Sequence, residues 1–382
     1  METLLLLLLF PLAWPFIAKR IWHTTINWTE MAIQIFGVTV LTLIVWFMGI
    51  YGQTLDVEIW NGQVTKKEMV DGHYVRSYEC NCTESCSGSG SNRSCTRTCQ
   101  TCYEDHYTRS YDGYSTVGNW TFDSIDTTSR SRRNSFPPPA SYTNCKIGEP
   151  ASRPHTYTNY VQAVPESLFH NIGKNKQYAD SIPTYPKVYD FYKINRVLSV
   201  GAKVPGELTT KINAQLNEAL KTLGAKKQVN VVVILTEIDD PSYRYAVENA
   251  WLGGEKNDVT VFVGLDGTTI TWADAMTWAL NKGNELFHVK LRDSVEGLGT
   301  LSPDTFAAVV TETIASHYDR PHMKDFEYLK DAIEPPAWVI ILSIILAIGG
   351  SIGLSVLFHY KEVDDVIGNF FTGNKSRRRY YR

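Results

Sequence analysis

The sequence predicts a membrane-anchored α+β protein: a β-rich module with a cysteine finger, then an α/β sandwich, both lying between transmembrane helices. Three observations predict it. Long apolar runs stand near both ends, six of seven cysteines crowd between Cys80 and Cys102, and strand-like and helix-like segments alternate beyond residue 185. The 382 residues suffice for at least one full core. Charged residues make up 20% and the net charge is −3, which excludes a basic nucleic-acid binder and an acidic disordered chain.

Residues 1–30 hold a short apolar segment and a basic turn. Thr3–Ala18 is apolar but interrupted by Pro11 and Pro15. Glu2 precedes it and Lys19 and Arg20 follow, the reverse of a secretory signal, so a short span fits, beside an interfacial segment or a cleaved signal. Residues 31–51 contain no Asp, Glu, Lys or Arg and are long enough to cross a bilayer core; residues 337–360 form a second such run. Trp28 and Tyr51 stand at interfacial positions. Lys19 and Arg20 before the 31–51 span, and Arg377, Arg378 and Arg379 in the basic tail 361–382, put both flanks in the cytoplasm. Residues 52–336, with 29 Lys and Arg against 35 Asp and Glu, then lie outside it: in the periplasm for a bacterial or phage-encoded chain of an inner membrane.

Residues 52–180 read as a β-rich module, with Asn61-Gly62 as a hairpin turn. Its cysteines are spaced almost symmetrically about a Ser/Gly-rich turn, and Tyr-rich strand-like sequence flanks both sides. A hairpin with nested bonds Cys80–Cys102, Cys82–Cys99 and Cys86–Cys95 explains that symmetry in an oxidising compartment. Zinc competes, since Cys99 and Cys102 form a Cys-x-x-Cys, although Cys80-Asn-Cys82 matches structural zinc spacing poorly. A redox role for Cys99 and Cys102 also stays open, and Cys145 is left over.

Residues 185–320 alternate. Leu208, Ile212, Leu216, Leu220 and Leu223 line one helical face, with Gly224 as its stop; Val229–Leu235 and Val259–Leu265 read as buried strands; Asp240-Pro241 and Ser302-Pro303 open helices. The succession of amphipathic helix, VNVVVILTEI, a helix with Tyr245-Ala246, Trp251-Leu252-Gly253-Gly254 and VTVFVGL resembles the TPM-type domain of thylakoid-lumen acid-phosphatase-like and membrane-anchored bacterial envelope proteins. The resemblance implies an α/β sandwich, often followed by a C-terminal span, and a metal or phosphatase role. The cysteine-finger half resembles uncharacterised membrane proteins encoded by bacteriophages.

Nucleophile, zincin and dinucleotide motifs are absent from the sequence. Gly201–Gly206 has P-loop spacing, but Glu207 stands where the phosphate-binding lysine belongs. No residue is assigned as catalytic. Asp239, Asp240, Asp258 and Asp266 lie at predicted strand ends and are candidate ligands for Ca²⁺ or Mg²⁺; helix capping, turn and loop roles suffice to account for Asp240, Asp266 and Asp258 without a metal. The expected function is a non-enzymatic envelope scaffold that binds a protein partner and the membrane, with no required cofactor. The other reading is a metal-assisted phosphatase-like hydrolase.

Overall fold

A computed structural model describes residues 2–22, 26–87, 94–164, 176–201, 203–278 and 284–360. Arg377, Arg378 and Arg379 lie outside the described residues. The chain forms two compact units, Met1–Asp56 with Tyr157–Asn171 and Met323–Arg382, and Val57–Thr156 with Ile172–His322.

The first unit is built on three helices, each long and apolar enough to cross a membrane: α1 (Glu2–Ile21), α2 (Trp28–Gln53) and α7 (Ala337–Tyr360). α1 runs unbroken through Pro11 and Pro15, both buried, where the sequence suggested an interruption. In α7 the segment Ile345–Gly350 takes π-helical geometry. The outer faces are apolar: Leu6, Phe36 and Met48 are each more than two-thirds exposed. The interior is where the polar groups are. Gln34, Thr42, Ser343, Ser351 and Ser355 are all fully buried. The Gln34 amide donates to the Ser351 carbonyl (2.7 Å) and the Ser355 hydroxyl (2.9 Å), and the Trp14 indole donates to Ser355 (3.1 Å), so one node joins all three helices.

The second unit contains two four-stranded sheets. The first has the order β3-β2-β1-β4, from β1 (Leu55–Ser87), β2 (Ser94–Ser115), β3 (Gly118–Thr127) and β4 (Pro150–Thr158). Val64, Tyr111, Trp120, Phe122, Cys145, Ala151 and Tyr192 form its core. Trp120 stacks on Tyr192 at 4.9 Å, and a Cβ at Gly113 would lie 2.5 Å from the Trp120 ring, so only glycine lets that ring close on the strand. The expected turn at Asn61-Gly62 does not form. β1 passes straight through, because the buried Asn61 side chain donates to the Val229 carbonyl and to Asn230 of β6 and accepts from Ser152 of β4, and Gly62 lies against Thr116.

The second sheet has the order β5-β6-β7-β8, from β5 (Val197–Val200), β6 (Asn230–Thr236), β7 (Asp258–Asp266) and β8 (Thr269–Met276). β5, β6 and β7 are parallel and β8 is antiparallel to β7. Alternate residues of β6 and β7 serve two cores. Val231, Val233, Leu235, Val259, Val261 and Val263 face α3 (Gly206–Lys227), α5 (Asn284–Glu296) and α6 (Pro303–His317), whereas Ile234 and Phe262 face α4 (Tyr243–Ala250) and Tyr178. Burial on both faces is why these strands read as unbroken apolar runs. α3 does not stop at Gly224. It continues to Lys227 and ends at Gln228 in the left-handed region (φ 51°), while Gly224 admits the Asn61 backbone.

The two sheets meet through Arg196, which is fully buried. Its Nε donates to Asn217 (2.7 Å), one terminal nitrogen to Asn230 and the Val231 carbonyl, and the other to Asn61 and to Ser152 (2.8 Å). Sequence reading places a boundary between residues 180 and 185; this guanidinium joins the elements on either side of it into one unit.

Candidate functional site

β1 and β2 pair without interruption from His73–Tyr107 outward to Ser87–Ser94, apart from a register shift between Cys80 and Thr83. β3 ends at Thr127, opposite Tyr107. Beyond that point the sheet is two strands wide over roughly 45 Å. A two-stranded ribbon in water is marginal by itself, and among the described residues none from Asp71 to Ser87 or from Cys95 to Ser110 is buried. Cross-links take the place of a core. The disulfides are Cys80–Cys102, Cys82–Cys99 and Cys86–Cys95, with Cα separations of 5.8, 4.0 and 4.0 Å. The register shift is absorbed at Asn81 (φ 48°), a residue type that tolerates the left-handed region, so the inner and outer cysteine pairs can both face across the ribbon.

The root of this finger is polar and aromatic. Arg109 grips Asp71 through two bonds of 2.7 and 2.9 Å, which holds the Asp71 carboxyl below the usual carboxylate range. His106 lies between Asp126 (2.8 Å) and Glu104 (3.5 Å) and stacks on Tyr74, whose hydroxyl donates to Asp126. Farther out, Tyr74, Val75, Tyr78 and Tyr103 are all exposed, Tyr103 at 72%. The arrangement offers two rigid, solvent-facing surfaces, Tyr74 and Tyr78 on one face of the ribbon and Val75 and Tyr103 on the other, with side chains of the kind that form protein contacts at low entropic cost.

The acidic set does not assemble. Asp258 and Asp266 are the first and last residues of β7, about 26 Å apart, so one ion cannot touch both. Asp239, Asp240 and Asp266 do share the edge where β6 and β7 end. There Asp240 is occupied: it accepts from the Tyr178 hydroxyl, which does most to hold its carboxyl below the usual range, and from the Ser242 hydroxyl (2.7 Å) and amide (2.9 Å). Asp258 is buried at the opposite edge, held by Asn230 (2.8 Å), the Glu255 amide (2.9 Å) and Tyr185 (2.9 Å). Burial raises it to about 6. Glu79 with Cys82 and Cys99, and Glu84 with Cys86 and Cys95, have ligand atoms within 4.8 Å of one another, but their sulfurs are bonded in pairs and supply no thiolate.

Two further polar clusters escaped sequence reading. Glu58 is buried (2% exposed) between Arg320 and Lys256, the latter at 3.4 Å. Burial pushes its carboxyl up, but Arg320, Trp60 and Lys256 together hold it below the usual range. Thr277 Oγ1 lies 2.7 Å from His288 Nε2, and burial lowers the imidazole to about 4. Thr277 is only 5% exposed, so this hydroxyl–imidazole pair is closed to a substrate. No signal in the sequence joins Glu58 to Arg320, 262 residues away, and Thr277 and His288, 11 apart, form no recognisable motif.

Comparison with family models, curated proteins and solved structures gives no match to this chain.

Proposed function

We propose that the protein is a membrane-anchored scaffold whose second unit, a cysteine finger on a TPM-like α/β platform, binds a protein partner outside the cytoplasm. One observation carries the reading: roughly 45 Å of two-stranded ribbon with no core, kept in one conformation by three cross-links. A structure that buries nothing of its own has its outward face as its product. Membrane anchoring draws support from the inverted bundle, apolar outside and polar within, an arrangement suited to lipid and unsuited to water. Disulfides support an oxidising compartment.

The test replaces Tyr78 and Tyr103, in turn, with a photo-crosslinking residue in the full chain within its native membrane. A discrete cross-linked protein at both positions is the expected result, with co-purification of that same protein lost from a chain in which residues 76–103 are replaced by Asn-Gly. Unchanged partner recovery after that deletion overturns the proposal.

A further inference from the structure

Where α3 ends, residues 225–228 and 319–322 enclose a recess of about 510 Å³. Lys226, Lys227, Arg320 and His322 line it, against Asp319 as the single carboxylate, with Gln228 between. The cations are not consumed by this lining. Asp319 is 80% exposed and lies 3.7 Å from Lys227, whose Nζ donates instead to the Tyr318 carbonyl (2.9 Å). Arg320 is held in place by Glu58 and by Gln228 (2.8 Å), and its Nε is buried with no partner among the described residues. Neither Lys226 nor His322 has a side-chain hydrogen bond or ion pair among those residues. The C-terminal carbonyls of α3 bring about half a negative charge to the site, Asp319 brings one more, and Glu58 offsets Arg320; Lys226 and Lys227 still leave the recess cationic.

Such a lining recognises an oxyanion with several acceptor oxygens, and a phosphate group fits both the charge and the volume. A phospholipid headgroup and free phosphate share that chemistry. Chain length favours the headgroup. Glu58, which fixes Arg320, follows Gln53, the last residue of α2, by five residues; whatever the arrangement of the two units, the backbone keeps it within about 17 Å of that helix end. Resting on the membrane anchoring proposed above, we propose that this recess binds the phosphate of an anionic phospholipid at the membrane surface on the side of the second unit.

The full chain in a nonionic detergent is titrated with short-chain phosphatidylglycerol, with phosphatidylcholine and with inorganic phosphate, and adducts are counted by native mass spectrometry. We expect one phosphatidylglycerol bound in preference to phosphatidylcholine, affinity reduced about tenfold in Lys226→Ala/Lys227→Ala, and recovery in Lys226→Arg/Lys227→Arg. Both lysines sit in the last turn of a helix, so folding is retained. Wild-type affinity in the alanine variant overturns the proposal. So does loss of binding confined to Arg377→Ala/Arg378→Ala/Arg379→Ala, which assigns the lipid to the tail. Inorganic phosphate that displaces the lipid and shows the same variant dependence overturns the lipid source. Release of the chain from membranes by alkaline carbonate overturns the anchoring itself, while phosphate binding by the recess is still measured separately.

Discussion

Two buried titratable side chains give opposite pH dependences. Asp258 is raised from 3.8 to about 6 in the fold, so its contribution is full below 3.8 and is lost as pH rises through 6. His288 is lowered from 6.5 to about 4, so its contribution is full above 6.5 and is lost as pH falls through 4. Each change amounts to a few kcal/mol, about 1.4 per pKa unit, and between pH 4 and 6 they offset one another. Denaturant unfolding of the second unit, followed in the full chain, should therefore depend weakly on pH in that window. His288→Gln should make stability fall as pH rises from 4 to 6; Asp258→Asn should make it rise. Identical profiles for the two variants would refute the assignment. Arg196 is a different case. Its five bonds serve the side chains of Asn61, Ser152, Asn217 and Asn230 and one carbonyl, and Arg196→Met removes all five, leaving Asn61 Oδ1 only the Ser152 hydroxyl and Asn230 Oδ1 only the Asn61 amide. A loss of about 3–5 kcal/mol is expected. Lysine should rescue little, since an ammonium cannot span the same set. None of these buried roles was legible beforehand, although the sequence marks Asp258 as a candidate ligand. The sequence shows an isolated Arg before a strand and an Asp at a strand start, and both types are ordinarily exposed. The Asp-Pro context implies a helix capped by Asp240 and beginning at Pro241; Asp240 instead accepts from the Ser242 amide in the turn before α4, which begins at Tyr243.

At the scale of elements, periodicity told most. β6, β7, α3, α6 and the two longest apolar helices stand close to where apolar spacing put them, because each buries a face with a fixed repeat. The cysteine ladder was legible for a similar reason: antiparallel register sets Cys86 opposite Cys95, and the near-symmetric spacing brings the other pairs within reach, Cys80 bonding diagonally to Cys102 from its place opposite Gln100. Asn61-Gly62 was misread because a turn dipeptide reports local preference, and here side-chain contacts made 90 and more residues away override it. The sheet also holds a topology that spacing cannot reveal. β5, β6 and β7 run parallel in sequence order, yet α3 and α4 cover opposite faces, so the two crossovers have opposite hands. One departs from the usual right-handed rule. Three successive residues at positive φ, Leu252, Gly253 and Gly254, turn the chain back after the short α4. In the finger, Cys86→Ala/Cys95→Ala opens the outermost link, worth about 2–3 kcal/mol by loop entropy. Hydrogen exchange should rise in residues 83–87 and 94–98 while the unfolding midpoint of the α/β core stays put. A global shift would mean that the finger is not an independent element. Asn81→Val, a β-branched residue forced to positive φ, should scramble the pairing on refolding, read by peptide mapping; Asn81→Gly should not.

For the molecule as a whole, the three apolar helices are stitched through the Gln34 node. Gln34→Leu removes the amide and leaves Ser355 to find another acceptor. The expected cost is about 1 kcal/mol, visible as a lower melting temperature of the helical signal in detergent. An unchanged melt would show that packing alone holds the bundle.

That node also sets a schedule. Gln34 and the Ser351 carbonyl are 317 residues apart, whereas the finger cysteines are separated by only 22, 17 and 9. At ribosomal speeds of about 5–20 residues per second, roughly 15–60 s pass between the synthesis of Gln34 and that of its partner. The finger has every residue it needs, and time to oxidise, long before α7 exists. The first two helices must therefore wait as a pair with a polar amide unmatched, and the last helix to be made completes the interior of the first ones.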